Sequence, residues 1–363
     1  MRIDALTSLR FLAAIIVVFS HFGGNVSYIN SLPYSLRNGS VMVTFFFVLS
    51  GFVIAIANRK KEINIAEFYV KRIFRISPSY FFSILLGVYV FYGALNTLGL
   101  LSISTFMLAW FPALPDQING PAWSVSVEAF FYVVFPVLFV FTKNIKGFVY
   151  SSLAAWLITQ LVHVNIIGAE SINTSWPSIG FSLVYYFPIS HLNSFMIGIA
   201  TGCLYSDYKD RISFDGFLSL ATCVLSVAFV SYVICNIHSW EHMIGFKLPV
   251  EASLLSPIFA VLIFIFSVSR NILIDMMSMR VFVFLGEISY SVYILQLPLY
   301  LFCYKNIFPY FSMSDDYNFL LYISILMLVS SLAYIFLEKT SMKLSKIICE
   351  KIRSRAVSVY AYN

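Results

Sequence analysis

The chain contains 363 residues, of which 60% are hydrophobic and 11% are charged, with a net charge of +6 and a mean hydropathy of +0.86. Soluble domains carry about 25% charged residues, and disordered chains combine low hydrophobicity with high net charge, so the composition excludes both classes. Apolar runs such as residues 9–20 and 45–56 are continuous and lack the alternating pattern of a barrel wall. The sequence therefore predicts an all-α polytopic membrane protein.

Ten apolar stretches have about the length of a membrane-spanning helix, which is roughly 20 residues. In chain order they cover residues 6–24, 40–57, 78–94, 123–141, 147–166, 181–205, 215–236, 251–268, 281–303 and 318–337. The first is predicted to be an uncleaved span, because no small-residue cleavage site follows it. A shorter apolar stretch at residues 98–111 runs into a segment rich in proline, and we expect it to be interfacial or re-entrant.

The basic residues predict the orientation of these spans, because Lys and Arg are retained on the cytoplasmic side. With ten spans and both termini in the cytoplasm, only Arg37, Lys247 and Lys305 of the 23 Lys and Arg residues fall on the outer side. If residues 98–111 formed a further span, every later loop would change sides and the basic loops would be divided between the two faces of the membrane, against the positive-inside rule. The orientation accounts for the positive charge, so no nucleic-acid partner is expected.

The chain is predicted to form a single transmembrane domain over residues 1–340, followed by a short basic cytoplasmic tail at residues 341–363. Its five cysteines are scattered without a closely spaced pair, which favours neither a disulfide framework nor a metal site. The predicted outer loops, which are expected to line an acceptor site, cover residues 25–39, 95–122, 167–180, 237–250 and 304–317.

Arg10 and His21 are polar residues within the first predicted span. Inserting a charged side chain at the centre of a span costs roughly 2.5–3.5 kcal/mol even on insertion scales, so a charged residue there suggests a functional or structural role. The two are eleven residues apart, which places them on one helix face and about 16 Å apart along the axis. They either form part of a site, or Arg10 extends to the inner headgroups while His21 caps the helix at the outer boundary.

A basic cluster of Lys71, Arg72 and Arg75 precedes the third predicted span. Arg72 and Arg75 are neighbours on a helix because they are three residues apart. Arginine binds phosphate through several hydrogen bonds at once. The cluster is therefore either a phosphate site on the cytoplasmic side or a plain positive-inside anchor.

Two further polar groups lie in predicted spans. Glu128, at the outer start of the fourth span, is either a buried acid that orients His21 or a helix N-terminal residue favoured by the helix dipole. Ser289, Tyr293 and Gln296 form a polar stripe along the ninth span. The stripe either contacts a hydroxyl-rich ligand or joins neighbouring helices by hydrogen bonds.

Taken in this order, these stretches resemble the membrane acyltransferase-3 family over essentially the whole chain. The resemblance rests on the spacing of Arg10 and His21, on the pair of Arg72 and Arg75, and on residues 46–54, 123–128, 288–295 and 336–339. It implies a ten-span core without an appended soluble domain. The family transfers an acyl group, usually acetyl from cytoplasmic acetyl-CoA, to a sugar hydroxyl presented at the outer side of the bacterial inner membrane.

The resemblance implies acceptors such as lipopolysaccharide O-antigen, capsule or exopolysaccharide, in the form of a glycan or a lipid-linked saccharide. Acetyl-CoA or another acyl-CoA is the co-substrate, and no permanently bound cofactor or metal is expected. The partners are thus the acyl-CoA donor, the glycan acceptor and the lipid bilayer, while the oligomeric state is left open.

The resemblance also implies roles for individual residues. His21, Glu128 and Arg10 are the expected catalytic residues, with His21 as general base or as an acyl-carrying nucleophile. Lys71, Arg72 and Arg75 are expected to bind the donor. The expected substrate-binding residues are Trp123, Ser289, Tyr293 and Gln296.

The sequence departs from the family pattern at three positions. Gln296 stands where members often have His, Ala129 where a second acid is common, and Thr340 where Pro is frequent. Two other interpretations remain open at this stage. One is a transporter or flippase of a lipid-linked saccharide, although no internal repeat of the kind common in transporters is seen. The other is an inactive family member that serves as an assembly partner.

Overall fold

Long apolar helices account for almost all of the regular structure. The computed structural model describes residues 3–91, 97–111, 119–170, 178–212, 214–311 and 313–361. Within these ranges, nine helical stretches are long and apolar enough to cross a membrane. They confirm the predicted all-α polytopic class.

The helices are, in chain order, α1 (Asp4–Phe22), α2 (Ser27–Asn30), α3 (Ser40–Asn58), α4 (Ile65–Phe91), α5 (Thr97–Ser104), α6 (Trp123–Phe141), α7 (Ile145–Glu170), α8 (Ile179–Tyr185), α9 (Leu192–Tyr208), α10 (Gly216–Ile244), α11 (Ser256–Val268), α12 (Ile272–Met277), α13 (Arg280–Asn306), α14 (Asp315–Ala333) and α15 (Lys339–Ala361). Two strands of two residues each, β1 (Phe214–Asp215) and β2 (Ser269–Arg270), pair in parallel. The apolar stretch at 98–111 contains the eight-residue α5, which is too short to span. Parts of three predicted outer loops, residues 95–96, 112–118, 171–177 and 312, lie outside the described residues.

The predicted eighth span is shorter than expected. Its helix α11 has 13 residues, or about 20 Å at 1.5 Å per residue, against a hydrocarbon core of about 30 Å. It follows an irregular turn over Val250–Leu254, in which Ser253 has a positive φ of 68°. The Ser253 carbonyl accepts a hydrogen bond from Trp156 Nε1 (3.2 Å), and its backbone N–H donates to Thr44 Oγ1 (3.3 Å). These hydrogen bonds satisfy the backbone polar groups of the irregular turn, which is necessary where water is absent.

The last predicted span continues into the segment predicted as a tail. α14 passes through Tyr334–Glu338 into α15 without a break. α15 packs along α4, where Glu67 accepts hydrogen bonds from Arg353 Nε (2.5 Å) and Nη2 (2.6 Å). Residues 341–361 are therefore helical, and the division of the chain at residue 340 stays a prediction.

Close contacts between two helix pairs fix the centre of the bundle. A Cβ atom added to Gly286 of α13 would lie 2.0 Å from the Thr7 carbonyl oxygen of α1, and one added to Gly198 of α9 would lie 2.0 Å from the Val48 carbonyl oxygen of α3. Small residues permit such approaches between membrane helices, where dispersion contacts replace the hydrophobic effect. The first pair brings the α1 face with Arg10 against the polar stripe of α13.

Prolines within two spans leave carbonyl groups that neighbouring segments satisfy. A proline in a helix removes the hydrogen bond to the carbonyl four residues earlier. In α4, the carbonyl four residues before Pro78 accepts from Ser341 Oγ (2.6 Å). In α13, the carbonyl four residues before Pro298 accepts from Asn119 Nδ2 (2.9 Å). These bonds attach α15 to α4, and the segment before α6 to α13.

Candidate active site

Two cavities inside the bundle meet at Tyr293. The first, the arginine cavity, has a volume of about 100 Å³, and the second, the His21 cavity, has a volume of about 540 Å³. Tyr293 and Val43 line both of them. A ligand group held in one cavity therefore approaches the other at this shared wall.

The arginine cavity collects most of the charged residues that the sequence singled out. Its lining includes Arg10, Arg72, Arg75, Glu128 and Ser289. Three guanidinium groups face one carboxylate there, so the cavity is formally cationic. Such a cavity favours an anionic ligand.

Aromatic rings of α4 and α6 hold Arg72 in place. Its guanidinium carbon lies 5.5 Å from the ring centre of Phe68 and 5.7 Å from that of Tyr132, which are cation–π distances. Among the described residues, Arg72 Nε has no hydrogen-bond partner. This buried donor is thus left unsatisfied in the described part of the protein.

Glu128 belongs to the arginine cavity, whereas the sequence left open that it orients His21. Its Oε1 accepts hydrogen bonds from Tyr132 Oη and from Ser50 Oγ (3.4 Å). Trp123 begins α6 and lines the His21 cavity, and Glu128 follows five residues later. Five residues correspond to about 7.5 Å along a helix, which carries the carboxylate past Tyr293 to the other cavity.

Lys71 lies apart from the two arginines with which it was grouped. Its Nζ donates to Glu67 Oε2 (3.0 Å), and 46% of its side chain is exposed. The same carboxylate binds Arg353. Lys71 does not contribute to the lining of the arginine cavity, so its predicted role in donor binding has no geometric support.

Gln296 orients the imidazole of His21. His21 Nδ1 lies 3.0 Å from Gln296 Oε1, and Gln296 Nε2 donates to the Tyr293 carbonyl (2.8 Å). Because the amide nitrogen is committed to that carbonyl, Oε1 is the acceptor and Nδ1 carries the proton. His21 Nε2 is then the basic nitrogen, and His21 itself is exposed to the cavities.

The three residues of the polar stripe on α13 have different surroundings. Gln296 is fully buried and does not line the His21 cavity, so it positions His21 and lies away from the space for a substrate. Ser289 is buried, lines the arginine cavity and donates to the Gly286 carbonyl (2.7 Å). Tyr293 Oη lies 3.4 Å from the Pro121 carbonyl, which places its hydroxyl between the cavities.

A third cavity lies on the other side of His21. This Asp315 cavity has a volume of about 600 Å³ and lies between α1, α13 and α14. Its lining includes His21, Phe22, Tyr300, Tyr304 and Asp315. His21 therefore contacts two separate spaces on its end of the bundle.

Sequence reasoning missed two carboxylates that are close to the predicted residues. Glu251 lines the His21 cavity. It is the first residue of a predicted span, so the argument that singled out Glu128, a charge in an apolar span, also applied to it. Glu338 is buried and accepts from Ser79 Oγ (2.8 Å) and Ser291 Oγ (2.5 Å). Only the fold reveals the contacts of Glu338, because its two partners lie on α4 and α13.

The fold and the cavities define a polytopic membrane protein with a cationic cavity beside an oriented histidine. A model of the acyltransferase-3 family, described as an acyltransferase domain, matches residues 3–338. The chain belongs to this family.

The chain is also similar to a curated protein, the acyltransferase MdmB of Streptomyces mycarofaciens. The two are 31% identical over 159 residues, which is 40% of this chain and 41% of that protein. The match thus spans less than half the length of this relative. No solved structure matches the chain.

Proposed function

We propose that this acyltransferase transfers an acetyl group from acetyl-CoA to a sugar hydroxyl of a cell-surface polysaccharide, such as O-antigen, capsule or exopolysaccharide. The observation that carries the proposal is the meeting of the arginine cavity and the His21 cavity at Tyr293. A cationic space thereby adjoins a larger one that contains a basic nitrogen. This is the arrangement that transfer between an anionic donor and a hydroxyl acceptor needs.

The arginine cavity suits the slender arm of CoA better than its nucleotide. Sites that enclose a drug-sized molecule have volumes of roughly 300–1,000 Å³, whereas this cavity has about 100 Å³. The phosphates then remain at the cavity mouth beside Arg72 and Arg75. The extended arm passes Arg10 and carries the thioester towards Tyr293.

His21 is the proposed general base. His21 Nε2 takes the proton from the acceptor hydroxyl as the hydroxyl oxygen attacks the thioester carbonyl carbon. The tetrahedral intermediate collapses with cleavage of the carbon–sulfur bond. The departing CoA sulfur takes the proton back from His21, so the products are the sugar ester and free CoA thiol.

Two residues are candidates to stabilise the donor during this reaction. Arg10 lines the arginine cavity and not the His21 cavity, so we assign it to the donor arm. Tyr293 reaches both cavities, and its hydroxyl is the proposed donor to the negative charge that develops on the carbonyl oxygen.

The proposed location is the bacterial inner membrane, with both termini in the cytoplasm. The support is the distribution of Lys and Arg residues over the loops. Arg59 contacts both Asp207 (2.6 Å) and Thr142 (3.0 Å), which joins the ends of α3, α9 and α6 at one end of the bundle. In this orientation the His21 cavity opens towards the outer side.

The proposal is tested by the alkali-labile acetate on the surface glycans of cells that express the protein. Wild type is compared with His21→Ala and with His238→Ala, a control in which an exposed histidine outside the cavities is removed. Acetate is expected with wild type and His238→Ala and is expected to be lost with a correctly inserted His21→Ala. Equal amounts of acetate with the wild type and both variants would show that His21 takes no part in the reaction.

A further inference from the structure

The cavities that contact His21 are lined by acidic residues, in contrast to the arginine cavity. Glu251 lines the His21 cavity, and Asp315 lines the Asp315 cavity. Among the described residues, neither lining contains a Lys or Arg. His21 lines both cavities and must be uncharged to act as a base.

Aromatic rings make up much of the remaining wall of the His21 cavity. Trp123 lies 5.2 Å from Tyr186 between ring centres, and Phe181 lies 4.4 Å from Tyr185. Rings of this kind present flat apolar faces for the C–H faces of a sugar, and they attract a cation when a carboxylate stands nearby. The carboxylate accepts hydrogen bonds from hydroxyl or ammonium groups.

The position of Glu251 is fixed by the irregular turn before α11. Ser253, two residues later, is fully buried with a positive φ, and its hydroxyl accepts from Gln160 Nε2 (3.0 Å) and Asn193 Nδ2 (3.1 Å). Backbone in this region persists where the surroundings determine it. The turn therefore holds the backbone of Glu251 beside the cavity that its side chain lines.

We infer that the sugar acylated by this protein is neutral or cationic around the acceptor hydroxyl, and that Glu251 and Asp315 are specificity-determining residues that reject anionic sugars. This inference rests on the proposed function. A carboxylate or phosphate on the acceptor would approach the carboxylate of the cavity that it enters, and neither described lining contains a Lys or Arg to compensate that charge. A hydroxyl-rich or amino sugar finds hydrogen-bond acceptors and aromatic faces instead.

The inference is tested by glycoside binding to the purified full-length protein, which requires no turnover. Methyl β-glucoside, methyl β-glucosaminide and methyl β-glucuronide serve as neutral, cationic and anionic probes, with intrinsic tryptophan fluorescence as the readout. The wild type is expected to bind the glucoside and the glucosaminide at least about 10-fold more tightly than the glucuronide. In Glu251→Gln with Asp315→Asn, the difference is expected to fall below about 3-fold.

Two controls locate the effect. Glu241→Gln removes a nearby carboxylate that binds His238 and the Leu248 backbone and lies outside both linings, so it is expected to keep the wild-type preference. Trp123→Phe is expected to lose most of the fluorescence response, because Trp123 lines the His21 cavity. Size-exclusion profiles verify that each variant is folded.

Three results overturn the inference: equal affinity of the wild type for all three glycosides, binding of none of them, or a preference unchanged in the double variant. Failure of the proposed function is a separate result. It appears as absence of acetyl transfer to any glycan by the wild type, whatever the binding preference.

Discussion

At the residue scale, the contact between His21 and Gln296 determines which imidazole nitrogen is basic. Gln296 accepts from Nδ1 because its amide nitrogen is bonded to the Tyr293 carbonyl. The sequence predicted that Arg10 and His21 share a face. It did not predict the partner of His21, because Gln296 is 275 positions away and only helix packing brings the two together.

Gln296→Leu is expected to lower kcat by about 10-fold or more, because the ring loses the bond that fixes its orientation and tautomer. Gln296→Glu is expected to retain activity and to move the acid limb of the pH–rate profile to higher pH, because a carboxylate stabilises the imidazolium. The measurement is the rate of CoA release against pH for both variants. A merely structural role for Gln296 predicts an unshifted profile for Gln296→Glu.

The assignment of the donor site is tested by comparing substitutions of Arg72 and Arg75 with a substitution of Lys71. Arg72→Ala with Arg75→Ala is expected to raise the KM for acetyl-CoA by about 10-fold or more, since each guanidinium–phosphate contact contributes roughly 1.5–3 kcal/mol. Lys71→Ala is the matched control, because its ammonium is paired with Glu67 outside the arginine cavity. An unchanged KM in the double variant, or an equal rise in Lys71→Ala, contradicts the assignment of the donor to this cavity.

At the scale of elements, the sequence predicted where most helices lie but not how they pair. Apolar length predicted ten spans, since span length depends on the membrane thickness, and nine helical stretches of the described residues are long enough to cross a membrane. The predicted span at 251–268 included most of the irregular turn at Val250–Leu254, so it was longer than the helix. Hydropathy does not distinguish a helix from an irregular turn of the same apolar composition. Helix pairing depends on small residues such as Gly198 and Gly286, whose partners are fixed only by the fold.

Gly198→Ala is expected to destabilise the protein by about 1–3 kcal/mol, because the added Cβ collides with the backbone of α3. Gly168→Ala is the matched control on α7, where an added Cβ meets no other described residue within 4 Å. The measurement is the thermal unfolding temperature in detergent. Equal unfolding temperatures for the two variants would show that the α3–α9 approach is looser than described.

At the scale of the whole molecule, the bundle separates a cationic cavity from an anionic end. The arginine cavity contains Arg10, Arg72 and Arg75, while the spaces around His21 contain Glu251 and Asp315. The sequence identified most of these residues individually, because charges in apolar segments stand out. It did not assign them to separate cavities, since that division depends on the position of Tyr293 between α1, α3 and α6.

The orientation of the bundle is open to a direct test. Single cysteines introduced at Lys61 and at Ser314, in a background in which the native cysteines are replaced, are expected to react on opposite sides of the membrane. Lys61 lies in a basic loop and Ser314 precedes α14, so a membrane-impermeant maleimide added to spheroplasts should label only Ser314→Cys. Labelling of Lys61→Cys alone reverses the proposed orientation.

The central claim is that an acyl donor enters from one side and a sugar hydroxyl receives the group from the other. Proteoliposomes with the isolated surface glycan trapped in the lumen and labelled acetyl-CoA added outside test it most directly, with the orientation of the protein determined by the cysteine labels. The account predicts labelled glycan in the lumen and free CoA outside, with both lost in His21→Ala. Labelling of the glycan only when it shares a compartment with acetyl-CoA would contradict the account.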